Sequence, residues 1–99
     1  AHDVVAGTLV VTVRGEYDVV PTSEAVSGDD IRSGKLVRMA VPGSVVHMYQ
    51  YNGAMRASRV TWDFPSLARL ELQTNMLEDH LGNNIAASLR EVLAARHPS

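Results

Sequence analysis

The chain contains no cysteine, and this absence excludes several kinds of chemistry. Disulfide bridges, metal sites built from thiolates and cysteine nucleophiles are all ruled out. Because cysteine-free proteins occur in oxidising and in reducing compartments alike, the absence does not indicate where the protein is located.

The sequence also has few aromatic residues and no long apolar run. It contains one Phe, one Trp and three Tyr, while 45% of its 99 residues are hydrophobic and 20% are charged. These fractions are ordinary for a globular protein, and no run approaches the ~20 apolar residues of a membrane-spanning helix. We therefore expect one domain over residues 1–99, because a chain of this length forms a single core, and no membrane partner.

The chain has no large excess of either charge, but its charges are unevenly distributed. The formal net charge is −2, yet residues 35–69 hold five basic residues and a single acidic one, Asp63. A basic centre between acidic flanks indicates surfaces that meet within the fold or across an oligomer, or else an anionic partner. We favour the first interpretation, because the whole chain lacks the basic excess typical of nucleic-acid-binding proteins.

Valine is the most frequent residue of the chain, and its β-branched side chain prefers the pleated surface of a strand. Alternation of apolar and polar residues predicts a first strand over residues 8–13, joined by a Gly-Glu turn to a second over 17–21. The run KLVRMAV predicts a third strand over 35–41. Residues 22–34, rich in Ser, Gly and Asp, are expected to form a loop with at most one helical turn.

The strongest local signal is Asn52-Gly53, which joins two alternating runs and predicts a β-hairpin. A two-residue turn implies the pairs Tyr51 with Ala54, Tyr49 with Arg56, His47 with Ser58, and Val45 with Val60. One face of the hairpin then carries His47, Tyr49, Tyr51 and Arg56. The opposite face, which is more apolar and is predicted to face the core, carries Val46, Met48, Met55 and Ala57.

The last third of the chain is predicted to add one strand and one helix. Residues 67–74 alternate and predict a sixth strand, after which Asn75 is a suitable N-cap with Glu78 three positions on. An apolar stripe then runs through Leu77, Leu81, Ile85, Leu89 and Val92. Gly82 could divide this helix, but the stripe keeps its phase across the glycine, which favours a continuous helix.

The predicted fold is therefore α+β, with an antiparallel sheet of five to six strands, flat or curled, followed by a long C-terminal helix. A helix of ~22 residues is ~33 Å long, whereas six strands span only about 24 Å. The overhanging stripe would be covered by a second copy, so a homodimer is predicted through the helix, the sheet edge or both. The predicted interface residues are Leu81, Ile85, Leu89 and Val92. The alternative is a break at Gly82 that lets both pieces pack on one sheet.

The sequence offers little support for catalysis or metal binding. His47 and Asp63, a candidate acid–base pair, fall on opposite faces of the predicted hairpin. Glu78, Asp79 and His80 are consecutive and cannot readily converge on one ion from a helix. No phosphate-binding loop or serine nucleophile motif is present, so no catalytic residue, metal or cofactor is predicted.

The leading hypothesis is a non-enzymatic binding or assembly module that self-associates or docks on another protein. Its predicted binding residues are His47, Tyr49, Tyr51 and Arg56, because Tyr and Arg are enriched at the centres of interfaces. These residues could equally serve only to stabilise the hairpin, since cross-strand aromatic pairs are common there.

Two alternatives stay open. The tyrosines and arginine could bind RNA or DNA by stacking on bases and contacting phosphate, although Arg59 is predicted on the opposite face from Arg56. The chain could also be a small enzyme or a small-ligand-binding protein with His47 in a pocket.

Overall fold

In a computed structural model, the described residues are 9–29, 34–39 and 41–96. They form a curled four-stranded mixed sheet followed by two helices, so the α+β class is confirmed. The elements are β1 (Leu9–Val20), β2 (Leu36–Arg38), β3 (Ser44–Tyr51), β4 (Ala54–Phe64), α1 (Leu67–Met76) and α2 (Asn83–Arg96). The spatial order of strands is β2-β1-β4-β3, with β1 and β2 parallel and the other neighbours antiparallel.

The predicted first hairpin is wrong, because β1 continues through the Gly-Glu dipeptide as one 12-residue strand. The dipeptide instead forms a β-bulge: Arg14 pairs with Arg59 and Tyr17 pairs with Ala57, so β1 has one residue more than β4 between these pairs. The Tyr17 hydroxyl donates to the Arg14 carbonyl at 3.1 Å, and its ring lies where a side chain at Gly15 would otherwise stand. Glycine therefore bends this strand without reversing it.

The third predicted strand is shorter than expected, because only three of its residues pair as β2. Val19 lies beside Val37 in a parallel ladder, which the predicted antiparallel sheet did not contain. Just after the end of β2, Met39 N–H still donates to the Val20 carbonyl of β1 at 2.9 Å. Of the predicted loop, residues 30–33 lie outside the described residues, as does residue 40 of the third strand.

The predicted sixth strand is wrong, because residues 67–76 form helix α1. Ser66 is the N-cap: its hydroxyl accepts a hydrogen bond from Arg69 N–H at 3.2 Å. The buried residues Leu70 and Thr74 are four positions apart. Residues at this spacing share one face in a helix and also in a strand, so alternation alone does not distinguish the two. The predicted N-cap at Asn75 is wrong for the same reason, since that residue lies near the end of α1.

The single long helix is also wrong, because the chain turns between α1 and α2 at residues 77–82. Gly82 is buried against β2: a Cβ there would overlap the Leu36 carbonyl oxygen and approach Leu36 N to 2.8 Å. Any residue with a side chain at this position would push the chain away from β2. Gly82 thus breaks the helix, and both pieces pack on the same sheet.

The core lies between one face of the sheet and the two helices. Its largest fully buried side chains include Trp62 and Phe64 of β4, Leu70 of α1, and Ile85 and Leu89 of α2. On the sheet face opposite the helices, called the outer face below, the side chains of β1, β3 and β4 are exposed or half-buried. Within the described part of the chain, no helix is both long and apolar enough to cross a bilayer.

Candidate functional site

The β3–β4 hairpin forms with the predicted turn. Asn52 and Gly53 both have positive φ, at 52° and 81°, as a type I′ turn requires. Next to the turn the predicted register is confirmed, since Tyr51 pairs with Ala54 and Tyr49 pairs with Arg56.

Further from the turn, a β-bulge at Ser58 shifts the register by one residue. His47 pairs with Arg59 and not with Ser58, and Val45 pairs with Thr61 and not with Val60. The bulge brings Arg59 to the outer face, where alternation also places Arg56 and His47. Arg59 was predicted on the opposite face of the hairpin from Arg56, and Asp63 on the opposite face from His47. Both predictions are therefore wrong.

The tip of the hairpin is exposed on both of its faces. Every residue from 48 to 55 is exposed, including four large hydrophobic side chains. Their exposed fractions are 40% for Met48, 36% for Tyr49, 55% for Tyr51 and 39% for Met55. The tyrosines lie on the outer face as predicted, and Met48 and Met55 lie on the core-side face as predicted, because Met48 pairs with buried Ala57. The two methionines are nevertheless exposed, so they are not part of the core. The buried positions of β4 extend only from Ala57 to Phe64, so the helices do not cover the tip.

Arg56 connects the tip to β1. Its Nε lies 3.4 Å from the Asp18 carboxylate, close enough for an ion pair although the two atoms are not aligned as a hydrogen bond. Its guanidinium carbon lies 5.9 Å from the centre of the Tyr51 ring, within range of a cation–π contact. The guanidinium therefore contacts the diagonal tyrosine, and the Asp18 carboxylate balances its charge.

His47 belongs to a row of basic residues across the outer face. Arg14, Arg59 and His47 lie directly across from one another on β1, β4 and β3. Arg59 Nη2 lies 3.4 Å from His47 Nδ1. A guanidinium can only donate, so in a hydrogen bond between these two atoms the His47 nitrogen is the acceptor. Sequence reasoning missed Arg14, although its outward position follows from the alternation through Val10 and Thr12.

The geometry around His47 does not resemble an acid–base centre. Its ring contacts a guanidinium, and Asp63 lies four residues along β4 from Arg59, about 13 Å away at the rise of a strand. A separate cavity of about 240 Å³ lies beside Arg38, Asp79 and His80. Among the described residues, no group of three or more His, Asp or Glu side chains could hold a metal ion.

The predicted dimer stripe on the helix is used within the chain. Leu81, Ile85 and Leu89 are buried in the core, and Val92 packs against it half-buried. Because the break at Gly82 folds the two helices onto the sheet, this stripe does not overhang. The large exposed hydrophobic residues of the described helices are instead Leu72 and Met76 of α1.

Comparison of the chain with protein-family models, curated proteins and solved structures finds no match.

Proposed function

We propose that this chain is a non-enzymatic assembly module that self-associates through its β3–β4 hairpin. The observation that supports the proposal is the cluster of four large apolar side chains exposed on both faces of the tip. Tyrosine and methionine bury a large apolar area at interfaces, and tyrosine keeps a polar end that water or a partner can satisfy. The Asp18–Arg56–Tyr51 contacts hold one face of the tip in place, which reduces the entropy lost on binding.

The proposal is tested with a Tyr49→Ser, Tyr51→Ser double variant. We expect sedimentation velocity to show dimers of the unmodified protein at micromolar concentrations and monomers of the variant. The matched control is Leu72→Ser, Met76→Ser, because these α1 side chains are 50% and 65% exposed but lie outside the hairpin. Equal self-association of all three proteins would contradict a role for the hairpin, and docking on a different protein would leave the unmodified chain monomeric.

A second candidate function, binding of single-stranded nucleic acid, is favoured by the row of Arg14, Arg59 and His47. Like charges directly across a sheet destabilise it, so an anion between the arginines would be stabilising. Tyr49 and Tyr51 extend the same face and could stack on bases. Against this function, Asp18 neutralises Arg56 beside those tyrosines.

This second candidate predicts salt-dependent binding of a labelled oligothymidylate. An Arg14→Ala, Arg59→Ala variant should lose affinity and reduce the salt slope by about one to two, because two phosphate contacts are removed. Arg56→Ala should have a smaller effect because its charge is already balanced. Lack of binding by the unmodified chain at low salt would exclude the function.

A further inference from the structure

The two edges of the sheet are not equivalent. β2 is three residues long, and the turn between the helices covers its backbone: Arg38 N–H donates to the His80 carbonyl at 2.9 Å, and Gly82 packs on Leu36. β3 is eight residues long and stands at the other edge. Among the described residues, β3 pairs with β4 alone, and no strand pairs with the edge of β3 that points away from β4. β3 is therefore the edge at which the sheet can grow.

β3 also lacks the features that usually protect an edge strand. Its sequence, SVVHMYQY, contains no Lys, Arg, Asp, Glu, Pro or Gly, and the nearby bulge lies in β4. Edge strands are normally protected by charges, prolines or bulges, because their free N–H and C=O groups pair with other strands. Valine and tyrosine have high strand propensity as well. This edge is thus suited to receive another strand.

The turn indicates which backbone groups point outward. Tyr51 and Ala54 flank the two-residue turn and bond to each other, so alternation directs the backbone N–H and C=O of Gln50 and Met48 away from β4. Within the described part of the chain no strand pairs with these groups, so they can form a ladder with a strand added at the edge.

We infer that β3 pairs antiparallel with β3 of a second copy about a twofold axis at Met48, joining two four-stranded sheets. This inference rests on the proposed function and names its interface. In this register Met48 lies across from its own counterpart, His47 across from Tyr49 of the second copy, and Val45 across from Tyr51 of the second copy. All residues from 45 to 51 are paired, and directly opposed side chains share a face, as an antiparallel sheet requires.

Charge favours a second copy as the occupant of this edge. Because β3 has no formal charge, two identical edges meet without like-charge repulsion. Neighbouring registers are poorer: an axis at His47 would set two imidazoles directly opposite each other, and an axis at Tyr49 would carry Val46 past the end of the partner strand to its turn.

Cysteine cross-linking tests the register, because the chain has no cysteine of its own. In Met48→Cys the two Cα atoms would be about 5.5 Å apart, as in a bonded antiparallel pair, which suits a disulfide. In Gln50→Cys they would be about 14 Å apart along the strands. We expect oxidised glutathione to convert Met48→Cys, but not Gln50→Cys, to a covalent dimer. Cross-linking of neither, or of Gln50→Cys alone, overturns the inference.

A matched pair of lysine variants tests the edge without cysteine. Met48 and Met55 lie on the same face of the hairpin with nearly equal exposure, but only Met48 lies on the edge strand. Met48→Lys places two ammonium groups opposite each other and should weaken the dimer at least about tenfold. Met55→Lys should change the dissociation constant less than about twofold. Equal effects would overturn the edge interface.

The outcomes separate the two proposals. One outcome is that the Tyr49→Ser, Tyr51→Ser variant loses the dimer while Met48→Lys dimerises as tightly as the unmodified chain. This outcome refutes the edge register and leaves the proposed function intact. A chain that stays monomeric at every concentration refutes both.

Discussion

Single residues hold the irregular parts of this fold, and Tyr17 is the clearest example. Its ring is buried in the core while its hydroxyl donates to the Arg14 carbonyl across the bulge of β1. Burial raises the pKa of Tyr17, because the phenolate would lose its hydration. The folded protein therefore holds this proton more tightly than the unfolded chain does.

The resulting stabilisation depends on pH. It is complete below the ordinary tyrosine pKa of about 10, and it is lost as the pH rises through the higher pKa of the folded protein. Tyr17→Phe should cost about 0.5–1.5 kcal/mol at neutral pH by removing the hydrogen bond. Above about pH 10 its unfolding free energy should fall less steeply than that of the unmodified chain. Denaturant titrations across this range check the prediction, and parallel pH profiles would contradict it.

Gly82 is the residue that decides how the helices meet the sheet. Its close approach to Leu36 leaves no space for a methyl group. Gly82→Ala should therefore lower the unfolding free energy by about 1–3 kcal/mol, as overpacking does, although alanine favours helix. Thermal unfolding measures the change. A stability equal to or above that of the unmodified chain would show that the close packing on β2 is not required.

At the scale of elements, α1 depends on its N-terminal cap. Ser66→Ala should cost about 0.5–2 kcal/mol, because Arg69 N–H loses its acceptor. The control is Ser88→Ala in α2, where the hydroxyl donates to the Asn84 carbonyl within the helix and the substitution should cost little. Chemical denaturation compares the two variants. Equal losses of stability would argue against capping as the cause.

Elements with a local signal could be predicted from the sequence. The Asn52-Gly53 turn requires two positive φ angles, which Asn and Gly adopt most readily, and it fixes the register of the pairs beside it. The bulge at Ser58 has no comparable signature, so the register beyond it was wrong. For residues 67–74, positions four apart share a face in a strand and in a helix, and Ser66 as a cap was the signal that distinguished them.

At the scale of the whole molecule, the features that could not be predicted from the sequence depend on contacts between distant segments. The parallel pairing of β1 with β2 and the packing of Gly82 on Leu36 join residues far apart in the chain. Without them, the helix was predicted to overhang and to carry the dimer interface. Because of these two contacts, the apolar stripe of the helix is buried in the core, and the cluster of four exposed apolar side chains lies at the tip of the hairpin. Tyr49, Tyr51 and Arg56 were predicted as one face, whereas the edge position of β3 follows only from the strand order.

Self-association of the unmodified chain is the central claim, and sedimentation equilibrium over a concentration series measures it most directly. The 10.7 kDa chain should show a mass that rises with concentration to that of a dimer and then stops, because pairing of the two β3 edges closes the interface. A mass that stays at that of one chain at every concentration would contradict the claim, and so would growth without limit.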